Sequence, residues 1–208
     1  MNLTSYFTSF TSYDEATKYI TDECLSLYQT NDRIQPTKLA MHLMEFPGLK
    51  MHCPQHHYLI SAVMLTAVFK GQGRAVEMLR DGLTEAMLRA KNVLPGFCGL
   101  YGSCGAAVGL GIYASILTNT TPYSIETWSL VNRIVAESLL NISKINGPRC
   151  CKRSCYIALQ LAETFTKDKF GIDLGTADKI ICPHSHRNEE CKKQECPYFP
   201  SENISLVE

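Results

Sequence analysis

The stretch that decides the fold runs from Gly96 to Leu117 and reads GFCGLYGSCGAAVGLGIYASIL. Its first part is rich in glycine and holds two cysteines, whereas its second part is apolar. No residue between Asn92 and Ile125 carries a charge, as would also be true of a membrane span. However, the helical part, about residues 103–117, is shorter than the ~20 apolar residues that a span requires. The stretch therefore predicts a buried core helix that follows a glycine-rich loop.

The glycine-rich loop is a candidate functional site. A phosphate-binding loop needs a preceding strand and usually a lysine after its last glycine, and neither is present here. A dinucleotide-binding loop is excluded as well, because no βαβ unit surrounds the glycines. Cys104 falls near the first turn of the helix, where the helix dipole favours a thiolate. We therefore name Cys98 and Cys104 as candidate metal ligands, and we assign Gly105 and Gly109 to a close contact between helices.

The segments on both sides of this stretch also have the hydrophobic spacing of helices, and no segment alternates convincingly as a strand would. The fold class is therefore all-α, with a single globular domain of about seven helices over residues 1–170. Residues 171–208 lack helical periodicity, so we predict an irregular, metal-ordered tail that packs on the helical domain. Besides the core helix, the predicted helices cover about residues 12–30, 35–46, 53–70, 74–92, 124–145 and 148–167.

Charge and cysteine content narrow the functional classes. The 208-residue chain has 20 basic and 20 acidic residues, so it lacks the basic surface that attracts nucleic acid. Its N-terminal segment joins no basic start to a long apolar stretch, and we expect a cytoplasmic protein with no membrane association. Disulfides are rare in that compartment. The ten cysteines therefore indicate metal binding, a cluster or redox chemistry.

A histidine-rich segment, MHCPQHHY, opens one of the predicted helices. His52 and His56 are four residues apart, which is the spacing that places two imidazoles on one helical face. We name His56 and His57 as candidate metal ligands. The alternative is that these histidines only cap and cover the helix end.

A second cysteine-rich segment, GPRCCKRSC, combines adjacent thiols with basic residues at a predicted helix start. The dipole and the cationic neighbours predict a lowered pKa for Cys150 or Cys151. These two thiols are candidate ligands, or a nucleophile with its resolving partner, and buried structural cysteines are the alternative. We expect Arg149, Lys152 or Arg153 to hold an anionic substrate, and we name Arg149 as a candidate catalytic residue beside Cys150 and Cys151.

The C-terminal segment CPHSHRNEECKKQECPYF gathers further metal-ligand residue types. Cys182, Cys191 and Cys196 lie within fifteen residues, together with His184 or His186. Their spacing matches no standard zinc finger, although cysteine followed by proline also occurs at iron–sulfur ligands. We predict that the three cysteines bind a metal or cluster that orders the tail.

Four of these segments resemble one known family. The segments are MHCPQHH, GFCGLYGSCGAAVGLGIYASILTNTTP, NGPRCCKRSCYIAL and HRNEECKKQECPYF, and the similarity covers about residues 35–200. The family is an uncharacterised cysteine-rich domain of bacteria and archaea, the domain of unknown function 5714, sometimes joined to methyltransferase-like domains. The resemblance implies one module, with a methyltransferase-like protein as a partner. It also implies glycine at the position of Cys53, which makes Cys53 a weaker ligand candidate.

Taken together, the motifs predict an iron–sulfur or other metal-binding protein with redox or sulfur-transfer chemistry at a thiolate-rich centre. In this hypothesis Cys98, Cys104, Cys150 and Cys151 converge, and the tail cysteines join the same centre or form a second one. Two alternatives remain. One is a metal-free thiol enzyme that uses Cys150 or Cys151, and the other is a non-catalytic module stabilised by zinc. The sequence leaves the substrate and the oligomeric state open.

Overall fold

The structure is a computed structural model, and it describes residues 13–175 and 179–200. Within these ranges the chain forms α-helices and two short 3-10 turns and contains no strand, so the all-α prediction is confirmed. Residues 1–12, 176–178 and 201–208, which belong to the predicted domain and tail, lie outside the described residues. The helices are α1 (Tyr13–Tyr28), α2 (Pro36–Met44), α3 (Gln55–Gly71), α4 (Val76–Ala90), α5 (Phe97–Leu100), α6 (Gly105–Thr118), α7 (Glu126–Ser143) and α8 (Cys151–Phe170).

The centre of the fold is α3, which packs against α1, α2, α4, α6 and α8. Almost every residue of α3 from Gln55 to Phe69 is buried, as expected of a helix that is apolar on all sides. The apolar helix α6 packs beside it and is buried along most of its length, so the predicted core helix is confirmed. In the described part of the chain, no helix is both long and apolar enough to cross a membrane.

Two glycines on α6 allow α3 and α6 to approach closely. A Cβ atom on Gly109 would lie 2.5 Å from the backbone oxygen of His57, and a Cβ atom on Gly105 would overlap the His57 ring. Only glycine therefore fits at these positions without a shift of the neighbouring helix. The predicted helix contact at Gly105 and Gly109 is confirmed.

The helix α8 begins three residues later than the sequence predicts. Its first helical residue is Cys151, and Cys150 is the N-cap, with an extended backbone at φ −139° and ψ 109°. Pro148 lies in the loop before the helix. This start matters for the site, because the capping residue and the first helical residue point their side chains in different directions.

The described part of the tail, residues 171–175 and 179–200, contains only two 3-10 turns, Ser185–Arg187 and Lys193–Glu195. It lies against α8. The hydroxyl of Tyr198 donates a 2.7 Å hydrogen bond to Oε1 of Gln160, and the Tyr198 ring packs edge-on against Tyr156. Lys192 donates a hydrogen bond to the carbonyl of Gly147, at the entry to the α8 N-cap. These contacts bring the tail cysteines to the N-terminal end of α8.

Candidate functional site

A large cavity lies where the N-terminal ends of α3, α6 and α8 meet. Its volume is about 1050 Å³. Each of the three helices has a cysteine at or just before its N-cap. Cys104 and Cys150 are the N-caps of α6 and α8, and Cys53 directly precedes Pro54, the N-cap of α3. The short helix α5, which carries Cys98, forms another part of the wall. Helix N-termini favour negative charge, so this cavity suits thiolates or anions.

Five thiols line this cavity, and one of them, Cys150, also lines a smaller cavity described below. We call the other four the cavity thiols. They interact electrostatically: the ionised form of Cys151 is disfavoured by Cys53 and Cys104, and that of Cys104 by Cys98. Interactions of this kind require the sulfur atoms to lie near one another. The set consists of Cys53, Cys98, Cys104 and Cys151.

Cys53, the weaker ligand candidate in the sequence analysis, is one of the cavity thiols. Its Sγ lies 3.3 Å from Nδ1 of His56, and it accepts hydrogen bonds from the backbone N–H groups of Gln55 and His56. Cys104 likewise accepts from the N–H groups two and three residues further on. The sequence feature that could have identified both cysteines is their position at the start of a helix.

The prediction of a lowered thiol pKa was wrong. Burial raises the pKa of Cys104, Cys150 and Cys151, and it raises that of Cys53 to about 11. Dehydration of a buried thiolate outweighs the helix dipole and the N–H donors here. Without a compensating cation these thiols keep their protons near neutral pH, and protonated thiols are weak nucleophiles.

Lys152 lies beside the cavity thiols in a surrounding that is unusual for lysine. Its side chain is fully buried, with 1% of its surface exposed, and its Nζ donates a 3.2 Å hydrogen bond to the carbonyl of Met44. No carboxylate pairs with it within the described ranges. Burial lowers its pKa, while the ionised thiols of Cys53, Cys155 and Cys151 would raise it. A buried ammonium needs a nearby negative charge, and these sulfurs are the groups at hand.

The three cations expected to hold an anionic substrate differ in position. Arg149 and Arg153 line the cavity, whereas Lys152 is not among its lining residues. Nη2 of Arg153 donates a 2.9 Å hydrogen bond to the carbonyl of Pro148, which fixes part of its guanidinium. The positive charges that line the cavity are therefore those of Arg149, Arg153 and Lys50.

The two candidate histidines line the cavity in different ways. His56 is 1% exposed, and its Nδ1 lies 3.0 Å from the carbonyl oxygen of Cys53, so Nδ1 carries the proton and donates. Its Nε2 is buried and has no partner among the described residues, which leaves a lone pair for a ligand. His57 donates from Nδ1 to the carbonyl of Val93, and its ring rests on Gly105. His56 is therefore the better ligand candidate.

A second, smaller cavity of about 20 Å³ lies under the tail. Four further thiols line it, and we call them the tail thiols. The ionised form of Cys182 is disfavoured by the other three members, and that of Cys150 by Cys196. The set consists of Cys150, Cys182, Cys191 and Cys196. Cys150 borders both cavities and interacts electrostatically with Cys196 of the tail.

The tail histidines do not join this set. His184 is buried, and its Nδ1 accepts a 2.7 Å hydrogen bond from Arg187, so its proton is on Nε2, which has no partner among the described residues. His186 is exposed. Neither lines the small cavity. All ten cysteines are free thiols, and Cys155 and Cys24 are buried in the hydrophobic core.

No three histidine, cysteine, aspartate or glutamate side chains in residues 13–175 and 179–200 are already arranged to hold a metal ion. The thiols of each set line a shared cavity without closing around a common point. A metal would therefore need to draw the sulfurs inward, which rotation about the cysteine side-chain bonds allows.

Comparison with known proteins gives one match. The model of a family of unknown function, DUF5714, matches residues 20–199, which is most of the chain and includes all ten cysteines. No curated protein and no solved structure is significantly similar to the sequence or to the fold. The chain therefore belongs to the family of unknown function DUF5714.

Proposed function

We propose that this protein is a metal-dependent redox or sulfur-transfer protein whose cavity thiols bind an iron–sulfur cluster. The observation that carries the proposal is that five cysteines from separate parts of the chain, the four cavity thiols and Cys150, line one cavity. The cavity of about 1050 Å³ has room for a cluster and for a small substrate beside it. Four thiolates are the usual ligands of such clusters. Cys53, Cys98, Cys104 and Cys151 would hold it, and His56 Nε2 offers a further donor.

The charge distribution around the cavity thiols fits such a group. A cluster with four thiolate ligands is anionic, and the buried ammonium of Lys152 would offset part of its charge. The N–H groups at the starts of α3 and α6 point at the sulfurs of Cys53 and Cys104, and hydrogen bonds to ligand sulfurs stabilise the bound form. When bound, the cluster supplies one-electron redox chemistry that side chains alone lack.

The remaining walls of the cavity suit a small anionic substrate. Arg149 and Arg153 provide positive charge, and guanidinium groups bind carboxylates or phosphates with two parallel hydrogen bonds. The opposite wall consists of apolar side chains of α7, including Leu139 and Ile142, which exclude water. The chain would thus orient the anionic end of a substrate toward α8.

The metal-free thiol enzyme is less well supported. Burial raises the pKa of Cys150 and Cys151, so neither is the activated nucleophile that this mechanism needs. A metal cation would remove the protons from these thiols outright. A cytoplasmic, reducing location, which would keep the ten thiols free, belongs to the proposal, as does the methyltransferase-like partner implied by the family resemblance.

The proposal is tested on protein purified without oxygen, by measuring iron and acid-labile sulfide with an absorption spectrum. We expect iron, sulfide and a broad band near ~400 nm in the unaltered protein. Cys98→Ala should lose most of the iron, because it removes one cavity thiol. Cys24→Ala is the matched control, since Cys24 lies in the hydrophobic core. Equal iron content in both variants, or protein free of iron, would refute the cluster.

A further inference from the structure

The tail thiols form a second group of ligand-type residues from distant parts of the sequence. Cys150 caps α8, whereas the other three lie in the tail at positions 182, 191 and 196. All four line the same small cavity. A four-cysteine set from two separate segments is the pattern of structural metal sites, in which every coordination position is filled by protein.

Hydrogen-bond donors point at the sulfurs of this set. The backbone N–H of Lys193 donates to Sγ of Cys191 at 3.4 Å, and that of His184 donates to Cys182. Cys150 accepts from the backbone N–H of Lys152. In all three cases the donor lies two residues after the cysteine.

A side-chain donor adds to this arrangement. Nδ2 of Asn188 lies 3.7 Å from Sγ of Cys150, and its Oδ1 lies 3.2 Å from Nε2 of His52, which fixes the orientation of the amide. Asn188 is itself buried. Donors aimed at sulfur stabilise thiolates that bind metal and orient them. They have no comparable role at protonated thiols, which are weak acceptors.

The size of the small cavity limits what it can hold. Its volume of about 20 Å³ exceeds the ~10–15 Å³ that one water-sized occupant needs. It is far too small for a cluster of several iron and sulfide atoms. The sulfurs do not yet enclose a common point, so binding would draw them in by side-chain rotation.

In residues 171–175 and 179–200, the tail has few apolar contacts that would order it. Its described part has two 3-10 turns and buries few apolar side chains, chiefly Leu174, Ile180 and Tyr198. Short segments without a core of their own are commonly held by a metal or by disulfides. The cysteines here are free thiols.

We propose that Cys150, Cys182, Cys191 and Cys196 bind a single metal ion of the zinc type in a closed tetrahedral site that fastens the tail to the start of α8. This site is separate from the cavity thiols, and it does not depend on the proposed cluster. It has no open coordination position, so its role is structural. The ion would also fix Cys150 and thereby the first turn of α8, which carries Cys151.

The test uses Co²⁺ added to the full-length protein without oxygen, because tetrahedral thiolate coordination of cobalt gives characteristic absorption bands. We expect Cys191→Ala to lose the four-thiolate bands and Cys98→Ala, which alters only the cavity thiols, to keep them. Bands that persist in Cys191→Ala, or that vanish in Cys98→Ala alone, would overturn the tail site. The iron content of the same samples reports separately on the cavity.

A second variant separates loss of binding from loss of folding. Cys191 is only partly buried, so Cys191→His can place a nitrogen ligand at the same position. We expect this variant to bind Co²⁺ with the altered bands of three sulfurs and one nitrogen. An unchanged four-thiolate spectrum would show that Cys191 is not a ligand. Complete loss of cobalt binding in a variant whose helical circular dichroism is intact would contradict the tetrahedral site.

Discussion

Cys150 and Cys151 are neighbours in the chain and both line the large cavity, but only Cys150 also lines the small cavity under the tail. Cys150 is the extended N-cap of α8 and lies with the tail cysteines, whereas Cys151 is the first helical residue and lies with Cys53 and Cys104. The change from extended to helical backbone between the two residues turns their side chains apart. In the two proposals above, one helix start would therefore contribute a ligand to each of two centres.

The buried Lys152 should tune a cluster bound by the cavity thiols. Lys152→Met replaces the side chain with an apolar one of similar length and removes the positive charge. We expect the midpoint potential of the cluster to become more negative, because the ammonium favours the added electron. The measurement is a redox titration followed by absorption, with exposed Lys18→Met as the control. An unchanged potential in Lys152→Met would contradict the assigned role.

Gly109 should be important for stability, because it allows the close contact between α3 and α6. In Gly109→Ala the new Cβ would lie 2.5 Å from a backbone oxygen of α3, so the helices must separate. We expect a loss of roughly 1–3 kcal/mol in the free energy of unfolding. Urea denaturation checks this value. Gly99→Ala, whose Cβ meets nothing within 4 Å, is the matched control and should change stability little.

Burial of His57 should make the protein sensitive to acid. Burial lowers the pKa of His57 to about 4 from 6.5, so the unfolded chain binds this proton first as the pH falls. The stability that the neutral ring contributes is present above about pH 6.5 and is lost progressively toward pH 4.

His57→Gln should flatten this pH dependence by up to one proton, because glutamine does not titrate. Urea denaturation at several pH values, with the metal content followed in parallel, provides the measurement. His186→Gln, at an exposed histidine, is the control. Identical pH dependence in His57→Gln and the unaltered protein would argue against a neutral buried ring.

The hydrogen bond between the tail and α8 should contribute modestly to stability. Tyr198→Phe removes the 2.7 Å bond to Gln160, which is exposed, so we expect a loss of roughly 0.5–1.5 kcal/mol. Limited proteolysis of the tail should accelerate in parallel. Tyr123→Phe alters a tyrosine that is 93% exposed and should leave both measurements unchanged. Equal rates of tail cleavage in the two variants would contradict the docking contact.

Sequence reasoning identified the fold well because hydrophobic spacing determines helices locally. The apolar run that became α6 was recognisable from composition and length alone, and Gly105 and Gly109 revealed its close neighbour. The start of α8 was misplaced, because proline at a predicted first turn is also compatible with the preceding loop. Because the predicted start was three residues too early, both Cys150 and Cys151 were expected within the helix. In the structure Cys150 is the extended N-cap and only Cys151 is helical.

The candidate site was only partly predictable, because burial is a property of the whole fold. The sequence named four of the five thiols that line the large cavity but expected lowered pKa values, since the dipole and the nearby cations are visible locally whereas dehydration is not. Lys152 was one of three cations named as alternatives for holding a substrate, and it is buried. The packing of the tail against α8 determines which sulfurs line the same cavity. The spacing of the cysteines along the chain does not predict this grouping.

The most direct test of the account compares Cys150→Ala with Cys151→Ala, each purified without oxygen and analysed for iron, sulfide and zinc. The account predicts that Cys151→Ala loses iron and sulfide while zinc remains. Cys150→Ala is expected to lose a larger share of its zinc than of its iron and sulfide. Both variants remove a thiol from the same helix start, so general damage to α8 would affect them equally. Identical losses in the two variants would contradict the assignment of these adjacent cysteines to separate centres.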